Sequence, residues 1–255
     1  MKFDPFWWDI DEPIITETSS DGLLAEADFV VVGGGFTGLS AALTIARQGR
    51  SVVVLDSATP GFGASTRNGG ICSGNIRPSH SALSKTYGPA FADEVYAEGI
   101  EARVDLAKFC SEEKIDCQLQ MTGRFTGAMG QSDYDAQARE VESLNNISGH
   151  AAHMVPKSAQ HTEIATDLFF GGMVREEIGG YHPGKFFAGL LRTAQSAGVV
   201  IHSDTTVKDV TDLTPSKKSV ITDKGTIAAG KVIIATNAYT GTKERFGQFL
   251  RRRLV

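Results

Sequence analysis

Between Asp28 and Asp56 the chain reads DFVVVGGGFTGLSAALTIARQGRSVVVLD, and no other stretch restricts its fold as much. Phe29 to Val32 is a short, β-branched apolar run of the kind that forms a buried parallel strand. It ends in three glycines and gives way to a segment rich in Leu and Ala, which predicts strand, tight turn and helix. Gly33, Gly35 and Gly38 stand at GxGxxG spacing, each with its own task. Gly33 makes the turn, Gly35 lets a backbone approach a pyrophosphate, and Gly38 lets helix and strand pack closely. The helix N-terminus then offers free N–H groups and the positive end of its dipole to phosphates. Gly49 stops the helix, and Ser51 to Leu55 reads as a second parallel strand. Asp56 follows Gly38 at about the 20 residues expected of the acid that binds a ribose hydroxyl. The combination predicts an adenine dinucleotide site, with a glycine-rich turn in some other α/β protein as the alternative.

Composition narrows the class. At 255 residues, 41% hydrophobic and 22% charged, the chain has material for one large or two small globular domains. A formal charge of −5 argues against nucleic acid as a partner, because phosphate recognition calls for a concentrated basic face. The one basic run, Arg251 to Arg253, reads as a solvated start of a strand. Cys72, Cys110 and Cys117 are an odd number without CxxC spacing, so neither a disulfide framework nor a zinc site is expected, and no metal is assigned. The cysteine usage fits a reducing cytoplasm. MKFDPFWWDI has no basic start or apolar core of a signal peptide, and no run is long enough for a membrane span. The Asn146–Ile147–Ser148 sequon is therefore read as accidental.

Residues 1–26 form an arm without regular period, holding Pro5, Trp7, Trp8 and Pro13; its indoles are expected to pack on the body of the protein rather than face a partner. After the dinucleotide unit, Gly61 to Asn75 reads GFGASTRNGGICSGN, too small and polar to fill a core. It predicts a loop whose amides wrap a cofactor, against the alternative of a flexible loop. Phe91 to Cys110 is helical in composition, Gln118 to Ala128 alternates as a strand, and Ser132 with Asp135 is positioned to cap a helix reaching Leu144. His150 and His153 lack a third ligand at useful spacing and are read as a surface loop. Pro183 suits the first turn of a helix that Gly198 ends. Val199 to His202 is the next strand. TTVKDVTDL, SVITDKGTIAA and KVIIATNAYT then predict an antiparallel meander returning to a buried parallel strand.

Four separated stretches carry a family resemblance: FWWD at Phe6–Asp9, VVVGGGFTGLSAA at Val30–Ala42, GASTRNGG at Gly63–Gly70 and VIIATNAYT at Val232–Thr240. The chain resembles the D-amino-acid-oxidase-like family of FAD-dependent oxidoreductases, in particular its γ-glutamylputrescine oxidoreductase and glycine/sarcosine oxidase type. The resemblance implies an α/β fold. A Rossmann-like FAD-binding domain of the glutathione-reductase type is interleaved with an α+β substrate domain and is incomplete at the C-terminus. The implied boundaries are 1–26 for the arm, 27–90 and 179–242 for the FAD-binding domain, and 91–178 and 243–255 for the start of the substrate domain. Gly33, Gly35, Phe36, Thr37 and Gly38 would serve the pyrophosphate, and Asp56 with Ser57 the adenosine ribose. Gly63, Ala64, Ser65, Asn68, Gly69 and Gly70 would line the flavin side. Val207 would meet the adenine edge, and Ala235 and Thr236 would close the site. The second loop holds no histidine, and no cysteine before Cys72, so a non-covalent FAD is expected.

The implied activity is oxidation of the C–N bond of a small amine or amino acid. Hydride passes to flavin N5, an imine is the product, and oxygen or another acceptor reoxidises the flavin. Arg67, able to attract a carboxylate bidentately, and His182, able to influence amine protonation, are the substrate-side candidates. Because family members continue past RRRLV, the sequence predicts a truncated chain, working as an oligomer or with a completing chain. A non-catalytic nucleotide-binding remnant or partner subunit is the alternative, and a nicotinamide-dependent dehydrogenase a third reading.

Overall fold

The computed structural model describes residues 4–10, 22–147 and 150–240. In chain order they form α1 (Phe6–Ile10), β1 (Glu26–Val32), α2 (Phe36–Ala46), β2 (Val52–Leu55), β3 (Ile71–Cys72), α3 (His80–Tyr87), α4 (Pro89–Glu112), β4 (Arg124–Gly127) and α5 (Gln131–Leu144). There follow β5 (Ala152–Pro156), β6 (Gly171–Arg175), β7 (Gly179–Gly180), α6 (Pro183–Ser196), β8 (Val200–His202), β9 (Val207–Thr214), β10 (Lys217–Thr222) and β11 (Thr226–Ile234). The chain divides into two compact units: Met1–Asn68 with Pro183–Val255, and Gly69–His182.

The first unit is built on a six-stranded sheet in the order β8-β2-β1-β11-β10-β9. Its first four strands run parallel, with Val30 opposite both Val53 and Val232, and Val54 opposite Ile201. Every residue of β2 is buried, as a parallel strand covered on both faces requires. Alternation sends Val30, Val53 and Leu55 into one core with Val220, Ile227 and Ala229, while Val31 points the other way, toward α2. α2 packs on α6, where the Phe36 and Phe186 rings lie 5.2 Å apart. Pro183 opens α6 as its fixed φ suggests, and Gly49 and Gly198, at φ +75° and +88°, follow α2 and α6. The β9–β10–β11 meander turns at Asp223–Gly225, where the Thr222 N–H donates to Gly225 O at 2.8 Å.

Two expectations for this unit need correction. The last run is one nine-residue strand, antiparallel to β10 and parallel to β1, rather than two pieces. Gly230 makes that continuity sterically acceptable, since a Cβ there would sit 2.7 Å from Asp28 O. The N-terminal arm is also not wholly irregular, because FWWDI forms α1.

The second unit has a three-stranded antiparallel sheet, β4-β6-β5, and a short β3–β7 ribbon. α3, α4 and α5 enclose a core that includes Leu83, Tyr96, Leu144 and Met173. The expected helix over Phe91–Cys110 is α4, begun by Pro89 after Gly88 at φ +94°. The strand expected over Gln118–Ala128 is confined to β4, because Gln118 and Gly123 take positive φ and leave only a lone bridge at Gln120. Ser132 does not cap α5. Gly130 is its N-cap, and Asp133 takes the Met129 N–H at 3.2 Å. His150 is not on a surface loop; its side chain is fully buried with Glu177 and Arg175, while His153 is half exposed. Arg175 and Glu177 lie two residues apart around the end of β6, and their charges neutralise each other where His150 can reach both.

The division of the chain falls after Asn68 and His182 rather than after residues 90 and 178. The reason is local pairing: Ile71–Cys72 pairs with Gly179–Gly180, and α3 packs on α4, so residues 69–90 and 179–182 side with the second unit. Cys110 and Cys117 sit 3.6 Å apart, Sγ to Sγ, as free buried thiols, and burial with the neighbouring thiol pushes Cys110 up to about 12. Among the described residues no helix is long and apolar enough to cross a membrane. Pro13, Ser148 of the sequon, Arg251 to Arg253 and the 243–255 segment assigned to the substrate domain lie outside the described residues.

Candidate dinucleotide site

The site begins where β1 runs out. Gly33 turns the chain at φ +105°, and a Cβ there would lie 2.6 Å from Ala235 O, so only glycine lets β1 and the segment after β11 come this close. A Cβ at Gly38 would fall 1.9 Å from Gly33 O, which accounts for the last glycine of the motif: it brings α2 down onto the turn. A Cβ at Gly35 would meet Ser65 Oγ at 2.9 Å. Gly35 is the N-cap of α2 and supplies no side-chain cap of its own; one first-turn N–H, that of Phe36, is taken by Ser65 Oγ from the second loop.

Hydrogen bonds fix the surrounding walls. Asp56 takes the Gly34 N–H on Oδ2 at 2.7 Å and the Ala58 N–H on Oδ1 at 2.9 Å. Burial raises its pKa against the pull of these two bonds, and Asp204 adds to the rise. Ser65 Oγ accepts the Phe36 N–H at 2.9 Å, tying the second glycine-rich loop to the first turn of α2. The Thr205 N–H donates to Asp56 O at 2.7 Å and brings the start of β9 alongside.

These segments enclose a cleft of about 630 Å³ within the first unit. Of the residues assigned from sequence, Gly33, Gly35, Phe36 and Thr37 line it at the helix, and Asp56 and Ser57 at the end of β2. Gly63, Ala64 and Ser65 line it from the loop, and Val207, Ala235 and Thr236 from β9 and beyond β11. Gly38 stands behind the wall in its packing role. Thr205, Lys208, Phe62 and Tyr239 also line the cleft and were not assigned from sequence; their only signal was adjacency to residues that were.

The remaining assigned residues are elsewhere. Asn68 lies under the loop, donating from Nδ2 to Ser65 O at 2.8 Å and to Ala64 O at 3.2 Å. Gly69 and Gly70 belong to the second unit, where Gly70 O accepts the Tyr181 N–H at 2.8 Å. His182 is buried in that unit too, its N–H on Cys117 O at 2.8 Å. Arg67 is exposed and lies against two adjoining rings, 4.5 Å from the centroids of both Trp8 and Phe62, and its Nε donates to Phe62 O at 2.7 Å.

The glycine-capped helix end, the close-packed glycines and the acid beside them suit a dinucleotide with a pyrophosphate at α2 and a ribose at Asp56. Residues 28–254 match the family model described as FAD dependent oxidoreductase, DAO. The chain belongs to this family of FAD-dependent oxidoreductases. FAD is the cofactor of this family. The chain is 31% identical over 216 residues to gamma-glutamylputrescine oxidoreductase of Escherichia coli, which covers 85% of this chain and 50% of the relative. Its fold is that of glycine oxidase from Geobacillus kaustophilus, with a TM-score of 0.72, 24% identity, and 85% of this chain and 56% of the other covered. L-amino acid deaminase from Proteus myxofaciens superposes with a TM-score of 0.73 at 17% identity, over 90% of this chain and 49% of that one. The DAO family chain described here thus spans about half the length of the curated relatives it matches.

Proposed function

We propose that this chain provides the FAD-binding part of an oxidoreductase that oxidises the C–N bond of a small amine or amino acid. The observation that carries the reading is the cleft itself, which joins the N-terminal end of α2, Asp56 and Val207 in one unit of a DAO family chain. Bound FAD would supply the two-electron acceptor, and the protein supplies binding, orientation and electrostatics. Gly33, Gly35, Phe36 and Thr37 hold the pyrophosphate, and Asp56 with Ser57 the ribose. Val207 faces the adenine, Ala235 and Thr236 close the site, and Gly63, Ala64 and Ser65 line the flavin side, with Asn68, Gly69 and Gly70 continuing that loop. The cofactor is held without a covalent bond, since no histidine lies in Gly61–Asn75 and Cys72 is buried with a thiol whose pKa burial raises.

The substrate class follows from the relatives' names, which speak of gamma-glutamylputrescine, glycine and L-amino acids. His182, buried in the second unit, is the group proposed to act on amine protonation. Arg67 is assigned a different task, holding the second glycine-rich loop through its contacts with Trp8, Phe62 and Phe62 O.

Reconstitution with FAD tests the reading. A flavin spectrum that bleaches anaerobically when an amine or amino acid is added supports it. FAD binding with no bleaching across such substrates would reduce the function to nucleotide binding. NADH formation without bound flavin would overturn the reading in favour of a nicotinamide-dependent dehydrogenase.

A further inference from the structure

The loop that lines the cleft from Gly61 to Ser65 is poor in side chains that could hold it, and ordering glycine-rich backbone is entropically expensive. Beside its packing on α6 and its bond to α2, it is held by α1, a helix more than fifty residues away in sequence. Trp7 Nε1 donates to Asn68 O at 2.7 Å, and Trp8 Nε1 donates to Thr66 Oγ1 at 3.2 Å. Both contacts are relayed. Thr66 Oγ1 donates onward to Gly61 O at 2.8 Å, closing the loop's base, and Asn68 Nδ2 holds Ser65 O, whose own Oγ takes the Phe36 N–H of α2. The Trp8 and Phe62 rings pack against each other at 5.9 Å, and the Arg67 guanidinium lies 4.5 Å from both while its Nε ties down Phe62 O. Two indole N–H groups, an aromatic pair and a cation against it thus connect α1, through the loop, to the helix end that receives the pyrophosphate.

We propose that α1 is a latch that sets the shape of the second glycine-rich loop for FAD, with Trp7, Trp8 and Arg67 as positioning residues. The latch rests on the reading of the cleft as the FAD site. It accounts for three polar anchors on a loop that also makes its own turns.

The experiment uses the 255-residue chain and four variants: Trp7→Ala with Trp8→Ala, Trp7→Phe with Trp8→Phe, Arg67→Ala, and Arg67→Lys. Amide hydrogen exchange of residues 61–68 is measured in the absence of FAD, and FAD affinity by flavin fluorescence. The alanine pair is expected to speed exchange in 61–68 while β1 and β2 stay protected, and to weaken FAD about tenfold. The phenylalanine pair keeps ring packing but loses both indole donors, so it should fall between wild type and the alanine pair, which also guards against loss of fold. Arg67→Lys keeps the charge without the planar stack and should resemble Arg67→Ala. The chain's two tryptophans are both in α1, so their emission reports the latch alone; it should shift to the red in Arg67→Ala. Unchanged exchange in 61–68, or faster exchange with unchanged FAD affinity, overturns the latch. If wild type binds no FAD, the site reading fails, and the latch is decided by the exchange and emission data alone.

Discussion

Two glycines of one motif should fail in different ways when replaced. A Cβ at Gly38 would stand 1.9 Å from Gly33 O, 3.1 Å from Gly33 C and 3.2 Å from Val31 Cγ1. Two of these neighbours are backbone atoms of a turn pinned by the Gly33 N–H bond to Leu55 O, so no rotamer change relieves the overlap and α2 must move away from β1. Such overpacking costs about 3 kcal/mol, and alanine's better helix propensity returns about 1, leaving Gly38→Ala about 2 kcal/mol less stable. For a chain of this size that is a fall in Tm of roughly 4–8 °C without any cofactor present. Gly35→Val meets only Ser65 Oγ, a side-chain atom that can rotate at the loss of one hydrogen bond, about 1 kcal/mol. Its branches fill the space meant for the pyrophosphate, so FAD retention is lost while the apo protein melts close to wild type. Differential scanning fluorimetry with and without FAD separates the two variants. Equal apo melting of Gly38→Ala and wild type would refute the packing account, and stoichiometric FAD on Gly35→Val would refute the placing of the pyrophosphate.

Asp56→Ala should weaken FAD by removing a charge-assisted ribose contact and should also lower apo stability, because the Gly34 and Ala58 amides lose their acceptor, at about 1–3 kcal/mol for each group left unpaired. Titration calorimetry and a thermal melt check the two effects, and a melt equal to wild type would show that water replaces the carboxylate. Glu177 gives a pH dependence. Burial raises its pKa, but bonds to His150, its own backbone and Arg175 outweigh this and bring it down to about 2. A carboxylate depressed in the folded state stabilises above its unfolded value, near 4.5, and that contribution is lost as pH falls toward 2. Glu177→Gln should therefore flatten stability over this range and, by leaving Arg175 with an uncompensated buried charge, cost about 3–5 kcal/mol at neutral pH. An acid titration of the variant parallel to that of wild type would exclude this group as the cause.

The parts of the fold that were legible in the sequence are those where short-range pattern and long-range packing agree. Val30 to Val32 and Val52 to Leu55 are apolar without a break because both faces of parallel strands are covered, and Gly33, Gly49 and Gly198 mark turns through backbone angles that other residues avoid. The cleft was legible for the same reason: Val32, Leu55 and Ile234, the ends of three parallel strands, stand in its wall. What escaped depends on partners far along the chain. Nothing near FWWDI indicates that its indoles will find Thr66 and Asn68, and a five-residue helix is too short to show a period. His150 was read as a loop residue because no acid or cysteine joins it and His153 at ligand spacing, yet Arg175 and Glu177, some twenty-five residues on, bury it by cancelling each other's charge. Arg67 escaped in a further way. Its place in the loop was plain from the sequence, but what its guanidinium touches is set by Trp8 and Phe62, each 4.5 Å away, and neither lies near it in the chain pattern that singled it out. Residue type and spacing identify a group that can bind an anion; only the tertiary neighbours decide whether it is free to do so.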